Sequence, residues 1–327
     1  MGDALKLAAR QLLSFYPVRV QTVELVGQSA NTVFMVSDME QKRYSLRLHH
    51  SKSEGLESCW TDLPALRSEM IWLDALAVGA AGLVVPVPVK NRDGEWVTVA
   101  DGLAGTLLEW VEGEQKPFIP HAADAGRIGS MLGKLHRYAS GWTAPEAFVR
   151  PAFDGERIQQ TLTKLDGLAE AGQVAADDAV VLQAAGQRAV AMMNRLQRTR
   201  DYWGLIHGDA IPSNLLFAAG ECRLIDFGAC GFGYYLFDLG WTCSYLHPSF
   251  RKQLLEAYAA EFWLPEGVEE LLEGFFVAAQ LETMNFWLGL PDHGEWLPGH
   301  LAKLAAREFA RYAAGEPFLY GGTPYWE

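Results

Sequence analysis

The sequence predicts an α+β fold with two lobes, a small β-rich N-terminal lobe and a larger helical C-terminal lobe. Strand-like runs separated by polar turns dominate up to residue 113, whereas apolar residues at three- and four-residue steps dominate after it. The length of 327 residues is also sufficient for two lobes. We place the N-terminal lobe at residues 1–108, a hinge at residues 109–113 and the C-terminal lobe at residues 114–327.

The N-terminal lobe is predicted to begin with a short amphipathic helix over residues 1–15, where charged residues alternate with apolar ones. Three strands with polar turns between them follow from Val18 to His50, a pattern typical of an antiparallel meander. Apolar residues at helical spacing then predict a helix over residues 63–77. Three further strands are predicted over residues 84–89, 96–99 and 105–111, and prolines place the first of them near a sheet edge.

The C-terminal lobe is predicted to be mostly helical. One helix contains Ile128 and Leu135 on its apolar face and ends near Gly141, and a long helical region spans about residues 155–198. Further helices are predicted over residues 250–262, 267–288 and 300–314. The sequence contains no internal repeat, which excludes a solenoid or repeat array.

Composition excludes several functional classes. The formal net charge of −13 argues against a nucleic-acid partner, because a phosphate-binding surface needs an excess of Lys and Arg. Four cysteines without a C-x-x-C pair indicate a reducing environment. No apolar run approaches the ~20 residues that span a bilayer, and the charged N-terminus is unlike a signal peptide. We therefore expect a cytoplasmic protein without a membrane or nucleic-acid partner.

The segment from Ile206 to Gly228 carries the most specific signal in the chain. It contains the pattern H-G-D-x-x-x-x-N, and twelve residues after the Asn comes a D-F-G sequence at the end of a hydrophobic run. Asp209 and Asn214 have the spacing of the protein-kinase catalytic loop. Asp209 is the candidate that orients an acceptor hydroxyl and takes its proton, and Asn214 and Asp226 are candidate Mg²⁺ ligands because Mg²⁺ prefers oxygen donors. This arrangement predicts phosphoryl transfer from ATP.

Phosphoryl transfer also needs a fixed cation on the nucleotide phosphates. Arg47, near the end of the third strand, is the candidate for this role, and Glu69 on the following helix is its candidate ion-pair partner. Taken alone, such a pair is more often an ordinary surface ion pair. The catalytic segment is what favours the functional interpretation.

With these residues in place, the chain resembles the aminoglycoside phosphotransferase family, which also includes choline and homoserine kinases and shares the protein-kinase fold. The resemblance covers most of the chain, and Gly208 after the His is typical of the family. It also takes in residues 108–113, 132–136 and 234–240. The resemblance implies an ATP- and Mg²⁺-dependent phosphotransferase whose acceptor is a hydroxyl of a small molecule.

The resemblance also implies roles for individual residues outside the catalytic segment. Gly27 would lie in the nucleotide loop over residues 27–32, and Leu108 would be the gatekeeper beside the adenine. Backbone groups of Glu109 and Val111 would bind the adenine. His207 and Asp238 would be structural residues, with Asp238 bracing the catalytic loop.

The chain departs from the family pattern at two points. The phosphate-binding position, usually Lys, is Arg47, which keeps the charge and can contact two oxygens. The nucleotide loop has one glycine, Gly27, where protein kinases have three. Neither departure removes a catalytic group, so we expect the activity to survive both.

The acceptor is the least determined part of the prediction. Residues from 251 onward contain five Lys/Arg against twelve Asp/Glu, a net charge of −7, and an acidic wall would attract a cationic acceptor such as an amino alcohol or amino sugar. A solvated helix face is the more common meaning of such charge runs. The candidate acceptor contacts are Glu282, Asn285 and Trp287.

Two alternatives to a small-molecule kinase share the same catalytic segment. One is a bacterial Ser/Thr protein kinase of the stress-response type. The other is a non-catalytic pseudokinase that binds nucleotide and acts as a scaffold, against which the intact Asp209, Asn214 and Asp226 argue.

Overall fold

The computed structural model describes residues 2–28, 31–50, 58–288 and 296–321. A mainly antiparallel sheet with two helices forms the N-terminal part, and helices with two small sheets form the rest. This arrangement confirms the predicted α+β fold class with a β-rich N-terminal and a helical C-terminal lobe.

The N-terminal sheet forms because alternate residues of its strands are apolar and face a core. The predicted meander is confirmed as β1 (Val20–Gln28), β2 (Thr32–Asp38) and β3 (Arg43–His49), which pair antiparallel in sequence order. The remaining strands are β4 (Pro88–Val89), β5 (Val97–Ala100) and β6 (Leu103–Glu109), and β6 pairs with β3, β4 and β5. The proline-containing β4 lies at the sheet edge, as predicted, since proline cannot donate to a second neighbour.

Two helices accompany this sheet. Helix α1 (Gly2–Leu13) buries Leu12 and Leu13 against the sheet residues Phe34 and Leu46. Helix α2 (Leu63–Gly79), with a proline in its first turn, packs instead into the large core shared with the C-terminal helices. Because α2 and the catalytic segment share that core, their packing determines the position of α2 relative to the catalytic segment.

The chain passes from one lobe to the other directly after β6. Strand β7 (Glu114–Gln115) already pairs with a strand of the C-terminal lobe, β10 (Leu215–Ala218). The crossing therefore occupies residues 110–113, inside the segment 109–113 that we predict as a hinge. The lobe boundaries themselves stay a prediction.

The C-terminal lobe is built mainly from helices, as predicted. Its helices are α3 (Ala122–Gly141), α4 (Gly155–Glu170), α5 (Ala176–Arg195), α6 (Tyr235–Ser244), α7 (Arg251–Ala259), α8 (Val268–Leu288), α9 (Leu297–Leu304) and α10 (Ala310–Ala314). The long helical region predicted over residues 155–198 is two helices, because the chain turns at residues 171–175. The last predicted helix is interrupted by a π-helical turn at Ala305–Phe309.

Short strands in the C-terminal lobe carry the catalytic segment. Strand β10 pairs antiparallel with β11 (Glu221–Leu224), and this hairpin leads into the D-F-G sequence. Strand β12 (Gly231–Tyr234) lies between β8 (Ala152–Phe153) and β9 (Trp203–Ile206). The turns that follow β9 and β11 are therefore held close together.

Among the described residues, no helix is long and apolar enough to cross a membrane.

Candidate active site

The catalytic loop begins where β9 ends, and one buried carboxylate holds its first turn. Asp238, on α6, accepts a hydrogen bond from the backbone N–H of His207 and another from that of Gly208, both at 2.8 Å. His136 Nε2 lies 3.1 Å from the same carboxylate and donates to it, because a carboxylate can only accept. Asp238 thus links the loop to α3 and α6.

The environment of Asp238 favours its charged form. Burial alone raises its pKa, but the hydrogen bond and charge of His136, together with the His207 N–H, outweigh burial and lower the pKa of Asp238 below its ordinary value. His136 is fully buried, and its Nδ1 lies 2.9 Å from the Tyr258 hydroxyl. These contacts fit the predicted structural role of Asp238.

His207 connects the catalytic loop to the strand that precedes the D-F-G sequence. Its Nε2 donates to the Ile225 carbonyl at 3.1 Å, and its Nδ1 accepts from the Asp209 N–H at 3.2 Å. One neutral tautomer satisfies both contacts. The ring also packs on Phe227, with centroids 4.7 Å apart. His207 is therefore placed to support the loop and does not face a substrate.

The glycine of the H-G-D sequence is required by the backbone. Gly208 has a φ of 78°, in the left-handed region. A Cβ at this position would lie 2.8 Å from the Ala229 carbonyl and 2.9 Å from the Phe153 ring. Glycine is the residue that meets both conditions, which explains its place between His207 and Asp209.

Asp209 lies beyond this turn and accepts two side-chain hydrogen bonds. The Trp241 indole N–H donates to Oδ1 at 3.1 Å, and Asn214 Nδ2 donates to Oδ2 at 2.8 Å. Burial raises the pKa of Asp209 above its ordinary value and nearby Asp226 adds to the rise, while Trp241, His207 and Asn214 act in the opposite direction. A carboxylate with a raised pKa is better matched to taking a proton near neutral pH than an exposed one.

Asn214 is held in a fixed orientation beside Asp209. Its Nδ2 also donates to the Asp209 carbonyl at 2.9 Å, and its backbone carbonyl accepts from the Ile225 N–H at 3.0 Å. Both side-chain hydrogen bonds use the amide nitrogen, so the amide oxygen is the atom available for a cation.

Asp226 follows the β10–β11 hairpin and has a strained backbone conformation. Its φ of 60° and ψ of 69° are left-handed, which is uncommon outside glycine and often found at functional sites. Its side chain is 46% exposed, and Oδ1 accepts from the Gly228 N–H at 3.4 Å. The second carboxylate oxygen is therefore available to a cation.

The oxygen atoms of Asn214 and Asp226 fit a Mg²⁺ ion. Mg²⁺ is typically bound by one or two carboxylates together with water and substrate phosphates, and not by a full protein cage. Within the described residues, no group of three or more His, Cys, Asp or Glu side chains could hold a metal ion by itself. The site is thus suited to an ion that arrives with nucleotide phosphates.

Arg47 brings a buried positive charge to this carboxylate. Its Nη2 lies 2.7 Å from Glu69 Oε1, both side chains being at most 5% exposed, and its Nη1 lies 3.7 Å from Asp226 Oδ1. Its Nε donates to Thr106 Oγ1 at 3.3 Å. The structure therefore brings together Arg47, Glu69 and Asp226, which the sequence placed far apart.

Next to Arg47 lies a buried histidine that no sequence motif singles out. His49 Nδ1 lies 3.0 Å from Asn31 Oδ1, and its Nε2 lies 2.9 Å from Thr106 Oγ1. Burial and the neighbouring Arg47 charge lower the pKa of His49 well below its ordinary value, so the ring is neutral at pH 7. His49 thereby ties Asn31, at the end of the nucleotide loop, to the strand that carries Arg47.

The predicted nucleotide-binding residues lie at the end of β6, in the segment that joins the two lobes and in the β1–β2 hairpin. Leu108 is buried in β6, and the Glu109 N–H donates to the Val87 carbonyl at 2.8 Å. The Glu109 N–H is therefore already bonded within the lobe, and Val111 lies two residues further along the chain, before β7. Gly27 pairs with Val33 in the β1–β2 hairpin, and residues 29–30 of the predicted loop lie outside the described residues.

The predicted acceptor residues lie at the end of α8. Glu282 Oε1 is 2.5 Å from Arg157 Nη2, and Asn285 Oδ1 accepts from Lys164 Nζ at 2.5 Å. Trp287 packs edge-on against Phe286 and Trp296. The structure thus places Glu282 and Asn285 against cations of α4.

Two contacts connect this region to the catalytic loops. The Arg157 guanidinium lies over the Phe153 ring at 5.0 Å, and Phe153 is the ring that closely approaches Gly208. On the other side, Trp60 lies against Gly228 and also contacts Phe286, with ring centroids 6.1 Å apart. The end of α8 therefore adjoins both halves of the catalytic segment.

Two curated proteins align with parts of this chain. A homoserine kinase of Afipia carboxidovorans is 28% identical over 163 residues, which is 46% of this chain and 43% of that protein. An amicoumacin kinase of Bacillus subtilis is 27% identical over 184 residues, which is 53% of this chain and 50% of that protein. The chain thus spans about half the length of the curated relatives it matches.

A solved structure matches almost the whole chain. The structure of a microcompartment-associated aminopropanol kinase superimposes with a TM-score of 0.75 over 95% of this chain and 98% of the other, at 24% identity. This match establishes the likeness of fold.

The family is established by a match to the chain itself. The profile described as the phosphotransferase enzyme family matches residues 22–271, about three quarters of the sequence. The matched range includes Arg47, Glu69 and the whole catalytic segment. It confirms the resemblance inferred from that segment. The chain belongs to the phosphotransferase enzyme family.

Proposed function

We propose that this protein is an ATP- and Mg²⁺-dependent kinase that transfers the γ-phosphate of ATP to a hydroxyl group of a small molecule. The observation that carries the proposal is the grouping of charged side chains around the catalytic loop and the D-F-G sequence. Asp209, whose pKa is raised, is bonded to Asn214, and Asp226 lies 3.7 Å from the buried Arg47. Phosphoryl transfer depends on this kind of positioning and charge neutralisation.

The residues divide the proposed reaction between them. Asp209 orients the acceptor hydroxyl and takes its proton, while the Trp241 N–H and Asn214 keep the carboxylate in place. Arg47 holds the α- and β-phosphates, and Glu69 fixes the Arg47 guanidinium. Asn214 and Asp226 hold Mg²⁺, which when bound neutralises charge on the phosphate oxygens.

We propose a small amino alcohol, or a larger molecule that displays one, as the acceptor. The names of two relatives, homoserine kinase and aminopropanol kinase, refer to molecules that carry both an amine and a hydroxyl. The proposed acceptor contacts are Glu282, Asn285 and Trp287, because the end of α8 adjoins the catalytic loops. Glu282 would serve the ammonium group while it remains close to Arg157.

The positions of the acidic residues in the C-terminal lobe argue against an acidic wall around the acceptor. Glu256, Glu269 and Glu270 are exposed, which fits the solvated face that such charge runs usually form. Glu273 is buried, and its carboxylate accepts from the backbone N–H groups of Phe318 and Leu319. A cationic acceptor therefore depends on the local contacts at Glu282 and not on the overall charge of the lobe.

The test is a screen of ATP consumption across amino alcohols, homoserine, sugars and aminoglycosides, with Asp209→Asn as the blank. We expect turnover with at least one amino alcohol and a loss of about 10²–10⁴-fold in the blank, the usual contribution of a general base. Nucleotide affinity should be almost unchanged in this variant. Full activity of Asp209→Asn would contradict the assigned mechanism.

The same experiment separates the two alternatives. Phosphate transfer to Ser or Thr of a protein, with none of the small alcohols accepted, would favour a protein kinase. Tight binding of Mg·ATP without transfer to any acceptor would favour a pseudokinase. Asp226→Ala, which we expect to weaken Mg·ATP binding in either case, tests the metal-ligand role of Asp226 and not the choice between these alternatives.

A further inference from the structure

A buried arginine just before β8 contacts both the loop that follows Asp226 and the helix α2 that carries Glu69. Arg150 is 8% exposed, and among the described residues its guanidinium donates to four backbone carbonyls. Nε donates to Cys230 at 2.6 Å and Nη2 to Gly228 at 2.5 Å, both in the loop after Asp226. Nη1 donates to Ala65 of α2 at 3.3 Å and to Cys59 at 3.5 Å.

The residues on either side of Arg150 make the same connection through their backbones. The Val149 N–H donates to Ser68 Oγ of α2 at 2.8 Å. The Pro151 carbonyl accepts from the Phe232 N–H of β12 at 2.8 Å. Residues 149–151, which we call the 149–151 clip, therefore join α2 to the chain that follows the D-F-G sequence.

We infer that Arg150 is a positioning residue that holds Asp226 and Glu69 in a common frame. Gly228 is two residues after Asp226, and Ala65 is one helical turn before Glu69 on α2. Arg47 contacts both of these carboxylates, so its position depends on the spacing between the loop and the helix. Arg150 sets this spacing without touching nucleotide or metal. The inference rests on the proposed role of Asp226 as a Mg²⁺ ligand.

The chemistry of arginine suits this task. A guanidinium presents five N–H donors in a rigid plane and stays charged even when it is buried. It can therefore satisfy carbonyls from several segments at once, which a lysine ammonium on a flexible stem does less well. Removal of Arg150 would free the loop and α2 to separate, and Asp226 would lose its fixed distance from Arg47.

A second buried arginine provides a matched control. Arg251 is 3% exposed, and it also donates to backbone carbonyls, of Cys243 at 3.1 Å and of Leu319 at 2.6 Å. These carbonyls belong to α6 and to the C-terminal segment, and not to the loop of Asp226 or to α2. A purely structural effect of losing a buried arginine should therefore appear equally in Arg150→Met and Arg251→Met.

The experiment measures binding of a non-hydrolysable ATP analogue, AMP-PNP, by calorimetry with and without Mg²⁺. In Arg150→Met we expect the Mg²⁺-dependent part of the affinity to fall about 10–100-fold, the usual effect of losing a residue that orients a metal ligand. In Arg251→Met it should stay within about twofold of wild type, since its contacts lie elsewhere. Arg150→Lys should give an intermediate loss. Wild-type affinities of Arg150→Met and Arg150→Lys for Mg·AMP-PNP would overturn the inference.

A measurement on the wild-type protein covers the case in which the Arg150 variants do not fold. Because the clip couples the loop to α2, Mg·AMP-PNP should slow hydrogen exchange in the first turns of α2 as well as in residues 226–230. Protection of the loop without any protection of α2 would overturn the inference. Failure of the proposed function is distinguished beforehand, because wild-type AMP-PNP binding would then not depend on Mg²⁺ or on Asp226.

Discussion

The indole N–H of Trp241 donates to Oδ1 of Asp209 at 3.1 Å, from the helix whose Asp238 holds the backbone of the same loop. This hydrogen bond stabilises the charged carboxylate and lowers the pKa of Asp209, against the larger effect of burial, which raises it. The helix that anchors the catalytic loop through Asp238 therefore also adjusts the pKa of the proposed base through Trp241.

We predict that Trp241→Phe moves the acid limb of the kcat/KM pH profile to higher pH. Loss of the indole donor leaves burial less opposed, so the pKa of Asp209 rises further and the carboxylate becomes protonated at a higher pH than in wild type. The measurement is the pH dependence of kcat/KM for the acceptor. Trp263→Phe, a partly exposed tryptophan beside Tyr202, is the control and should leave the limb in place. An unchanged limb in Trp241→Phe would contradict the assignment of Asp209 as the base.

A second prediction separates stability from activity at the buried ion pair. Glu69→Ala removes the carboxylate that lies 2.7 Å from the Arg47 guanidinium, and a buried charge without its partner costs about 3–5 kcal/mol of unfolding free energy. The double variant Arg47→Met/Glu69→Leu removes both charges and should recover most of this loss. Both variants should raise the KM for ATP, because neither retains a fixed cation. Urea denaturation and steady-state kinetics measure the two effects.

The control for this prediction is an exposed ion pair on the same lobe. Arg19 and Glu40 form a 2.7 Å pair whose side chains are about three quarters exposed. Glu40→Ala should cost less than about 1 kcal/mol and leave the KM for ATP unchanged. If Glu69→Ala behaved in the same way, the buried pair would not have the role proposed for it.

A third prediction concerns pH and stability at Asp238. Because the pKa of Asp238 is lowered in the folded protein, its carboxylate stabilises the fold above the pKa of an unfolded Asp, about 3.9, and this contribution is lost as pH falls further. Asp238→Asn leaves buried donors unsatisfied and should cost about 1–3 kcal/mol at neutral pH. The difference between wild type and variant should therefore shrink below about pH 4.

Thermal unfolding between pH 3 and pH 7 measures this difference. Asp201→Asn, at an exposed position, should change stability by less than about 0.5 kcal/mol throughout. A difference at Asp238 that stays constant across the range would show that its charge does not stabilise the loop.

The catalytic segment was predictable because its chemistry depends on local spacing. His207, Asp209 and Asn214 occupy one loop, and the β10–β11 hairpin leads from it to Asp226, so sequence distance and spatial distance agree. Trp241 was missed although a signal existed. It follows Asp238 by three residues on α6, and residues at that spacing share a helix face.

Other site residues had no such local signal. Arg150 lies in an irregular segment 76 positions before Asp226, and only packing of α2 against the D-F-G loop gives it a role. His49 looked like one of two adjacent strand histidines, and its contacts to Asn31 and Thr106 follow from the register of β3 with its neighbours. Contacts between residues distant in sequence depend on the tertiary fold, which spacing does not reveal.

The last prediction tests why glycine follows His207. Gly208→Ala would adopt a left-handed φ, which costs about 1–2 kcal/mol for a residue with a Cβ. The added Cβ would in addition lie 2.8 Å from the Ala229 carbonyl, so the loop must move and carry Asp209 with it. Gly220→Ala is the matched control, because its φ of 80° is also left-handed but its Cβ would have no atom within 4 Å. Backbone strain should lower the free energy of unfolding of both variants by about the same amount. Gly208→Ala alone should also lose turnover, since a shift of about 1 Å can cost a factor of ~10² in rate. Measurement of unfolding free energy and kcat on both variants separates backbone strain from displacement of the base, and equal kcat values would show that the loop tolerates the clash.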